Sequence, residues 1–304
     1  MNTSIALVLV TYNRVALLKE MLCSILEQIE KPAHVYIIDN NSSDNTATEV
    51  AIFIEENRDS LQVSYHNTGK NLGGAGGFEF GSRLAYEAGY EWIWLADDDV
   101  VFFPDCLSNL LKYRSAADIL QPVRMNTDGS CAEISGIDYE INNPFRLNPK
   151  KIKITDIYDK NWEIQEIHTI PFEGPLINRR VFERIGFPNK NFFIFYDDLD
   201  FAIRANQAGY KIICVKLARM ERKIKFVQSR ALTSWKGYFM YRNFFKVQLT
   251  YARRPLGIIR SLAICITVSV YSIFTGKIKS LPTLFFALRD ALKKDFPLDS
   301  RFKP

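Results

Sequence analysis

The chain has 304 residues, of which 47% are hydrophobic and 24% charged. Such a composition argues against disorder and against a fibrous repeat, and the length allows one large domain or one domain plus an appendage. The net charge of +5 hides a split: residues 1–210 hold 19 basic and 30 acidic residues, whereas residues 211–304 hold 20 and 4, which points to a localised anionic partner such as membrane phosphates, lipid pyrophosphates or RNA.

Ile5 to Val10 is a fully apolar run, predicting a strand buried on both faces of a parallel sheet. It leads straight into Thr11, Tyr12, Asn13 and Arg14 and is too short for a secretory leader, so a cytoplasmic location is expected. Leu18, Leu22, Ile25, Leu26 and Ile29 recur at three- and four-residue spacing and predict a helix with one apolar stripe on the sheet. Val35 to Ile38 reads as the second strand, followed by Asp39, Asn40, Asn41, Ser42, Ser43 and Asp44, a polar cluster able to cap the next helix. Gln62 to Tyr65 and Trp92 to Leu95 read as the third and fourth strands. Successive βαβ units place the C-terminal strand ends on one edge, where ligands bind in open α/β folds. Thr11, Asp39 and the run Asp97 to Asp99 are therefore expected to converge.

Met125 to Ile170 reads as short strands and loops of the same domain. Beyond about Lys225 the pattern turns helical, aromatic and basic, dividing the chain into residues 1–225 and 226–304. Ser261 to Gly276 carries no charge over 16 residues. At about 1.5 Å per residue it reaches about 24 Å, short of a hydrocarbon core of about 30 Å. Flanked by Arg253, Arg254, Arg260, Lys277 and Lys279, it suits a helix lying at a membrane interface or a buried helix of a small bundle. The five scattered cysteines form no CxxC pair or Cys/His cluster, so neither a disulfide framework nor a structural zinc is expected.

Four segments carry chemistry. Asp97, Asp98 and Asp99 end a nearly apolar run, and three adjacent carboxylates repel one another unless a cation sits among them. Hard oxygen donors suit Mg²⁺ or Mn²⁺ completed by water and phosphates; the alternative is a solvated acidic loop. Asn71 to Phe78, with Gly73, Gly74, Gly76 and Gly77, opens a helix but fits neither the dinucleotide-binding nor the Walker A pattern, leaving a backbone able to approach a ligand closely. Asp197, Asp198 and Asp200 follow the aromatic run Phe192 to Tyr196. They read either as helix caps or as carboxylates desolvated enough for one to act as a general base. Trp235 to Asn243 reads as a phosphate site, a stacking surface for single-stranded RNA or an amphipathic helix. His34, His66 and His168 fall in no paired arrangement, and the serine-elbow and zinc-protease motifs are absent.

In order, Val8 to Arg14, Ile38 to Asp44, Asn71 to Phe78, Trp94 to Val100 and Gly174 to Ala205 resemble glycosyltransferase family 2, most of all its galactofuranosyltransferase branch, with rhamnosyltransferases close by. The resemblance covers most of residues 1–215. It implies the GT-A fold, an α/β Rossmann-like mixed sheet with helices on both faces, here with a small basic helical C-terminal region. The implied activity is inverting transfer of galactofuranose from UDP-galactofuranose onto a lipid-linked or growing surface polysaccharide of the O-antigen kind; the nearest enzymatic alternative is rhamnose from dTDP-rhamnose.

The resemblance further implies that Thr11, Tyr12, Asn13, Arg14, Asp39 and Asn41 hold the nucleotide, with Asp39 facing the base, and that Asn71, Gly73 and Gly74 border nucleotide and sugar. Asp97 and Asp98 would lie at the donor, and Asp99, with Asp97, would hold Mg²⁺ or Mn²⁺ on the diphosphate. Asp198 would deprotonate the acceptor hydroxyl while Asp197 and Asp200 orient base and acceptor. Many family members carry a metal-binding histidine where this chain reads Ala218-Arg219-Met220-Glu221-Arg222. Either Glu221 substitutes, or Arg222 meets the leaving diphosphate, with Arg242 a second candidate diphosphate contact. The expected location is peripheral, at the inner face of the cytoplasmic membrane on anionic lipid. Competing readings are a nucleotidyltransferase, a non-catalytic glycan-binding or assembly protein on the same frame, and an RNA-binding protein with steeply salt-dependent affinity; nucleic acid is not the expected partner.

Overall fold

The computed structural model describes residues 4–146, 149–224, 234–276, 281–296 and 300–302; the expected boundary at 225/226 and the flanking Lys277 and Lys279 lie outside them. Strands β1 (Ile5–Thr11), β2 (His34–Asp39), β3 (Val63–Asn67) and β4 (Trp92–Asp97) alternate with helices α1 (Val15–Leu26), α2 (Thr46–Asn57) and α3 (Gly73–Glu87). The sheet continues with β5 (Val100–Phe102), β6 (Ile119–Met125), β7 (Ile164–Glu166), β8 (Leu176–Asn178) and β9 (Ile212–Arg222), interspersed with α4 (Cys106–Leu111), α5 (Arg179–Ile185) and α6 (Asp197–Gln207). Helices α7 (Lys236–Tyr251), α8 (Leu256–Phe274) and α9 (Leu281–Ala291) follow.

The strand order is β3-β2-β1-β4-β8-β6-β9-β5, with β7 also paired to β9. The first four of these are mutually parallel, β8 runs antiparallel to both β4 and β6, and β9 returns parallel to β6. As the unbroken apolar run of β1 requires, both faces are covered. Leu7 and Leu9 join Leu18, Met21, Leu22 and Ile25 of α1, while Val8 and Val10 join Phe78 of α3 on the other side. Gly77 and Gly81 let α3 lie close on β1. A Cβ at Gly77 would stand 2.6 Å from Val10 Cγ1, and one at Gly81 2.4 Å from Val8 Cγ1.

Three expectations shift by a residue or a turn. Ile29 lies beyond the end of α1 and is exposed, so it is not part of the stripe. β3 and β4 outlast their apolar runs, because ladder pairing carries them to Asn67 opposite Asp39 and to Asp97 opposite Val10. α8 is longer than the uncharged stretch, 19 residues or about 28 Å, and by length and composition alone it suffices to cross a membrane. It includes Arg260, which is buried and donates to Ile141 O at 2.8 Å, Asn143 O at 2.7 Å and Gln248 Oε1 at 2.9 Å, so this cation faces the protein rather than flanking an apolar segment. The inner face of α8 packs on α7, whereas Ile259, Leu262, Ile266, Val270, Ile273 and Phe274 form an exposed apolar stripe.

Candidate active site

The parallel register brings the predicted strand ends together: Thr11 pairs with Asp39, and Val10 with Asp97. Beside them lies a cavity of about 330 Å³, walled by Thr11, Tyr12, Arg14, Asn71, Gly73 and Gly74, by Asp97, Asp98 and Asp99, and by Glu173, Asp197 and Asp198. Both acidic motifs, separated by about a hundred residues of sequence, thus open into one space.

Within the first motif the three carboxylates differ. Asp98 is buried and accepts from Thr11 Oγ1 at 2.7 Å and Arg14 Nη1 at 3.0 Å, which ties the end of β1 to the turn after β4. Asp99 accepts from Arg14 Nη1 at 3.2 Å. The carboxylate of Asp97, the last residue of β4, accepts no hydrogen bond among the described residues. Burial, and then the neighbouring Asp99, push its carboxyl well above the ordinary range. Burial followed by the charge of Glu173 pushes Asp99 up to about 6. Glu173 itself is held below its usual value by Arg124 at 3.0 Å and Arg222 at 3.0 Å, which outweigh its burial. Among the described residues no cluster of three or more His, Cys, Asp or Glu side chains is arranged to enclose a metal. Two crowded, raised carboxylates facing a cavity nevertheless fit a hard divalent cation whose remaining ligands are water and phosphate oxygens.

The second motif starts α6. Asp197 and Asp198 occupy its first turn at the cavity wall, with Leu199 N donating to Asp198 Oδ1 at 2.7 Å. The helix dipole and that amide favour the charged form, but burial dominates and lifts Asp198 to about 6. Burial and then Asp198 hold Asp197 well above the ordinary range. The loop leading in is left-handed at three non-glycine residues, Phe193, Phe195 and Tyr196. Gly73, itself left-handed at φ +71°, packs against it; a Cβ there would fall 2.1 Å from Phe193 O.

Several expected site residues stand elsewhere. Asp200 stands about 200° round the helix from Asp198 and lines a different hollow, where it accepts from Arg204 Nε at 2.9 Å and Tyr251 Oη at 2.6 Å. Asp39 is buried behind the cavity wall and accepts from Ser42 N at 2.8 Å, Ser42 Oγ at 2.6 Å and Tyr65 Oη, so its carboxylate holds the turn after β2. Asn13 and Asn41 are left-handed loop residues outside the cavity lining, and Asn13 Oδ1 accepts from Ser43 N at 2.7 Å. Arg222 is paired with Glu173 and Glu221 with Lys223, and neither side chain lines the cavity. Arg242 is fully buried and donates to backbone carbonyls, which removes it as a diphosphate contact. The cavity receives Trp235 and Lys236 from the start of α7 instead. Sequence reasoning missed Glu173 and Lys236; Lys236 lay within the aromatic-basic stretch, but Glu173 carries no motif.

Residues 6–186 match the profile described as Glycosyl transferase family 2. Galactofuranosyltransferase GlfT1 of Mycobacterium tuberculosis is 26% identical over 223 residues, covering 69% of this chain. The Mycolicibacterium smegmatis GlfT1 is 37% identical over 92 residues, 30% of this chain. The chain spans 66% and 28% of the lengths of these two relatives. Among solved structures, Staphylococcus aureus TarS 1–349 superposes with a TM-score of 0.58 at 16% identity, covering 96% of this chain and 82% of that one. The mannosyltransferase PcManGT of Pyrobaculum calidifontis, solved with GDP-Man and Mn²⁺, gives 0.56 at 16% identity, covering 95% and 86%. The architecture is therefore that of the GT-A glycosyltransferases.

Proposed function

The chain belongs to glycosyltransferase family 2, and from that membership we propose that it is an inverting transferase moving a sugar from a nucleotide-sugar donor to a hydroxyl acceptor. The observation that carries the proposal is the convergence of Asp97, Asp99, Asp197 and Asp198 on one cavity. Asp198, lifted to about 6, is ionised at neutral pH yet basic enough to take the acceptor proton. The freed acceptor oxygen attacks the anomeric carbon, the bond from that carbon to the diphosphate breaks with its electron pair leaving on the diphosphate, and configuration inverts. Burial keeps the basicity of Asp198 high, and the charge of Glu173 adds to it. Lys236 and Arg14 stand on the cavity wall to meet diphosphate charge. Asp97 and Asp99 would hold Mg²⁺ or Mn²⁺, which supplies neutralisation of the leaving group.

The similarity to a galactofuranosyltransferase supports galactofuranose ahead of rhamnose as the sugar moved; we take UDP-galactofuranose as the donor and a lipid-linked or growing surface polysaccharide as the acceptor. We place the protein at the inner face of the cytoplasmic membrane, with the exposed stripe of α8 and the adjoining Arg253 and Arg254 on anionic lipid. The test is UDP release from UDP-galactofuranose with a lipid-linked acceptor and Mn²⁺. Wild type should turn over and Asp198→Asn should fall to background; equal rates would sink the assignment.

A further inference from the structure

The loop that delivers Asp198 is held in a costly conformation from outside the cavity. Phe193, Phe195 and Tyr196 have φ of 65°, 66° and 68°. Phe193, with ψ −59°, centres a γ-turn closed by Ile194 N–H donating to Phe192 O at 2.8 Å. Non-glycine residues keep such angles only where their surroundings over-determine them.

Those surroundings are two adjacent side chains of α7. Arg242 Nη2 donates to Asn191 O at 2.7 Å and to Phe192 O at 3.0 Å. Arg242 Nε donates to Asn243 Oδ1 at 2.9 Å, which turns the Asn243 amide nitrogen toward the loop. Asn243 Nδ2 then donates to Phe192 O at 2.9 Å, Ile194 O at 2.8 Å and Phe195 O at 2.9 Å. The remaining carbonyl, Phe193 O, accepts from Ala75 N on α3 at 3.1 Å. All five carbonyls from Asn191 to Phe195 are thus held by donors on α7 or α3, while Phe193, Ile194 and Phe195 line the cavity and the left-handed Tyr196 starts α6 with Asp197 and Asp198 at the cavity wall. Arg242 and Asn243 are both fully buried and touch no cavity surface.

We infer that Arg242 and Asn243 are positioning residues: acting from α7 through the backbone of residues 191–196, they set where Asp198 stands against the acceptor. The inference rests on Asp198 being the base. It accounts for a buried guanidinium directed at peptide carbonyls, and it makes the placement of the base a property of the C-terminal helices.

The test uses the full-length protein and the variants Asn243→Ala, the milder Asn243→Ser, and Arg242→Lys. Gln248→Ala serves as a buried control on α7 whose partner is Arg260 instead of the loop. Amide hydrogen exchange on the free protein should quicken across residues 190–200 in both Asn243 variants and remain unchanged there in the control. Since small displacements of a reacting group cost about 100-fold, kcat should fall by about that factor in Asn243→Ala with donor KM within about twofold. Arg242→Lys, which keeps a donor, should lose less rate than Asn243→Ala, and in the Asn243 variants the acid limb of the kcat–pH profile should move to lower pH as water reaches Asp198. Wild-type exchange in this loop in both Asn243 variants overturns the inference. So does an equal kcat loss in Gln248→Ala at matched loss of melting temperature. Absence of transfer by wild type would instead retire the base assignment and the kinetic role with it, and the exchange data would still judge whether the pair holds the loop.

Discussion

At the scale of single residues, the acid-base behaviour of Asp198 gives a signed expectation. Burial raises its carboxyl to about 6, and a general base acts only when ionised. With donor and acceptor saturating, kcat should rise with pH and level off above about 6, falling about tenfold per unit below it. Asp97 and Asp99 are raised as well, so the folded protein retains protons there that the unfolded chain releases; their stabilising contribution is complete below the usual carboxylate range and is lost as pH rises through their folded values. Mn²⁺ should therefore raise the melting temperature more at pH 7 than at pH 5, where protons occupy the same oxygens. Lys236→Ala removes one charge-assisted contact, worth about 1.5–3 kcal/mol, and should raise donor KM about tenfold or more with a smaller change in kcat. Residue types were legible in the sequence here, but side-chain directions were not. At about 100° per residue, the six-residue step from Lys236 to Arg242 leaves them about 120° apart on α7, so only one of them can face the cavity. The neighbours Asp98 and Asp99 likewise diverge at a turn, one tied to Thr11 and the other left crowded.

Among the elements, the glycine run separates packing from binding. Gly81→Ala would place a methyl 2.4 Å from Val8 Cγ1 and 2.8 Å from Ile38 Cγ1. Overpacking of this kind costs about 1–3 kcal/mol, and the gain in helix propensity, about 1 kcal/mol, offsets only part of it. Gly74→Ala meets nothing within 4 Å and should leave urea stability unchanged or raised, while its new methyl at the cavity wall weakens donor binding. Denaturation and UDP titration of the two variants check this crossing of effects. The strands were legible because apolar runs mark sheets buried on both faces, and their ends were not, because pairing carries β3 and β4 past the last apolar residue. Asn71 to Phe78 reads as a ligand loop in sequence, yet Gly77 serves helix-on-sheet contact, and of the glycines only Gly73 and Gly74 reach the cavity. The network of Arg124, Glu133, Glu173 and Arg222 was invisible because its members come from four separate segments with no spacing pattern.

For the whole molecule, the charge split and the geometry of α8 bear on one property. Arg260 is turned inward, so the outer stripe from Ile259 to Phe274 is uninterrupted by charge, and Ile266 and Phe274 are 64% and 87% exposed. Apolar patches of this size on a soluble surface mark contact with lipid or another protein. The basic excess after residue 210 favours anionic lipid, since a stripe meant for a second copy of the chain would bring like charges together. Wild type should cosediment with vesicles containing phosphatidylserine, less at high salt and little with neutral vesicles. Ile266→Glu combined with Phe274→Ser should abolish the partition by removing apolar area and adding repulsion, and turnover on a water-soluble acceptor should persist because both positions lie outside the cavity wall. If wild type instead forms a dimer by light scattering and ignores vesicles, the stripe is a protein interface, and the basic third of the chain needs a different anionic partner.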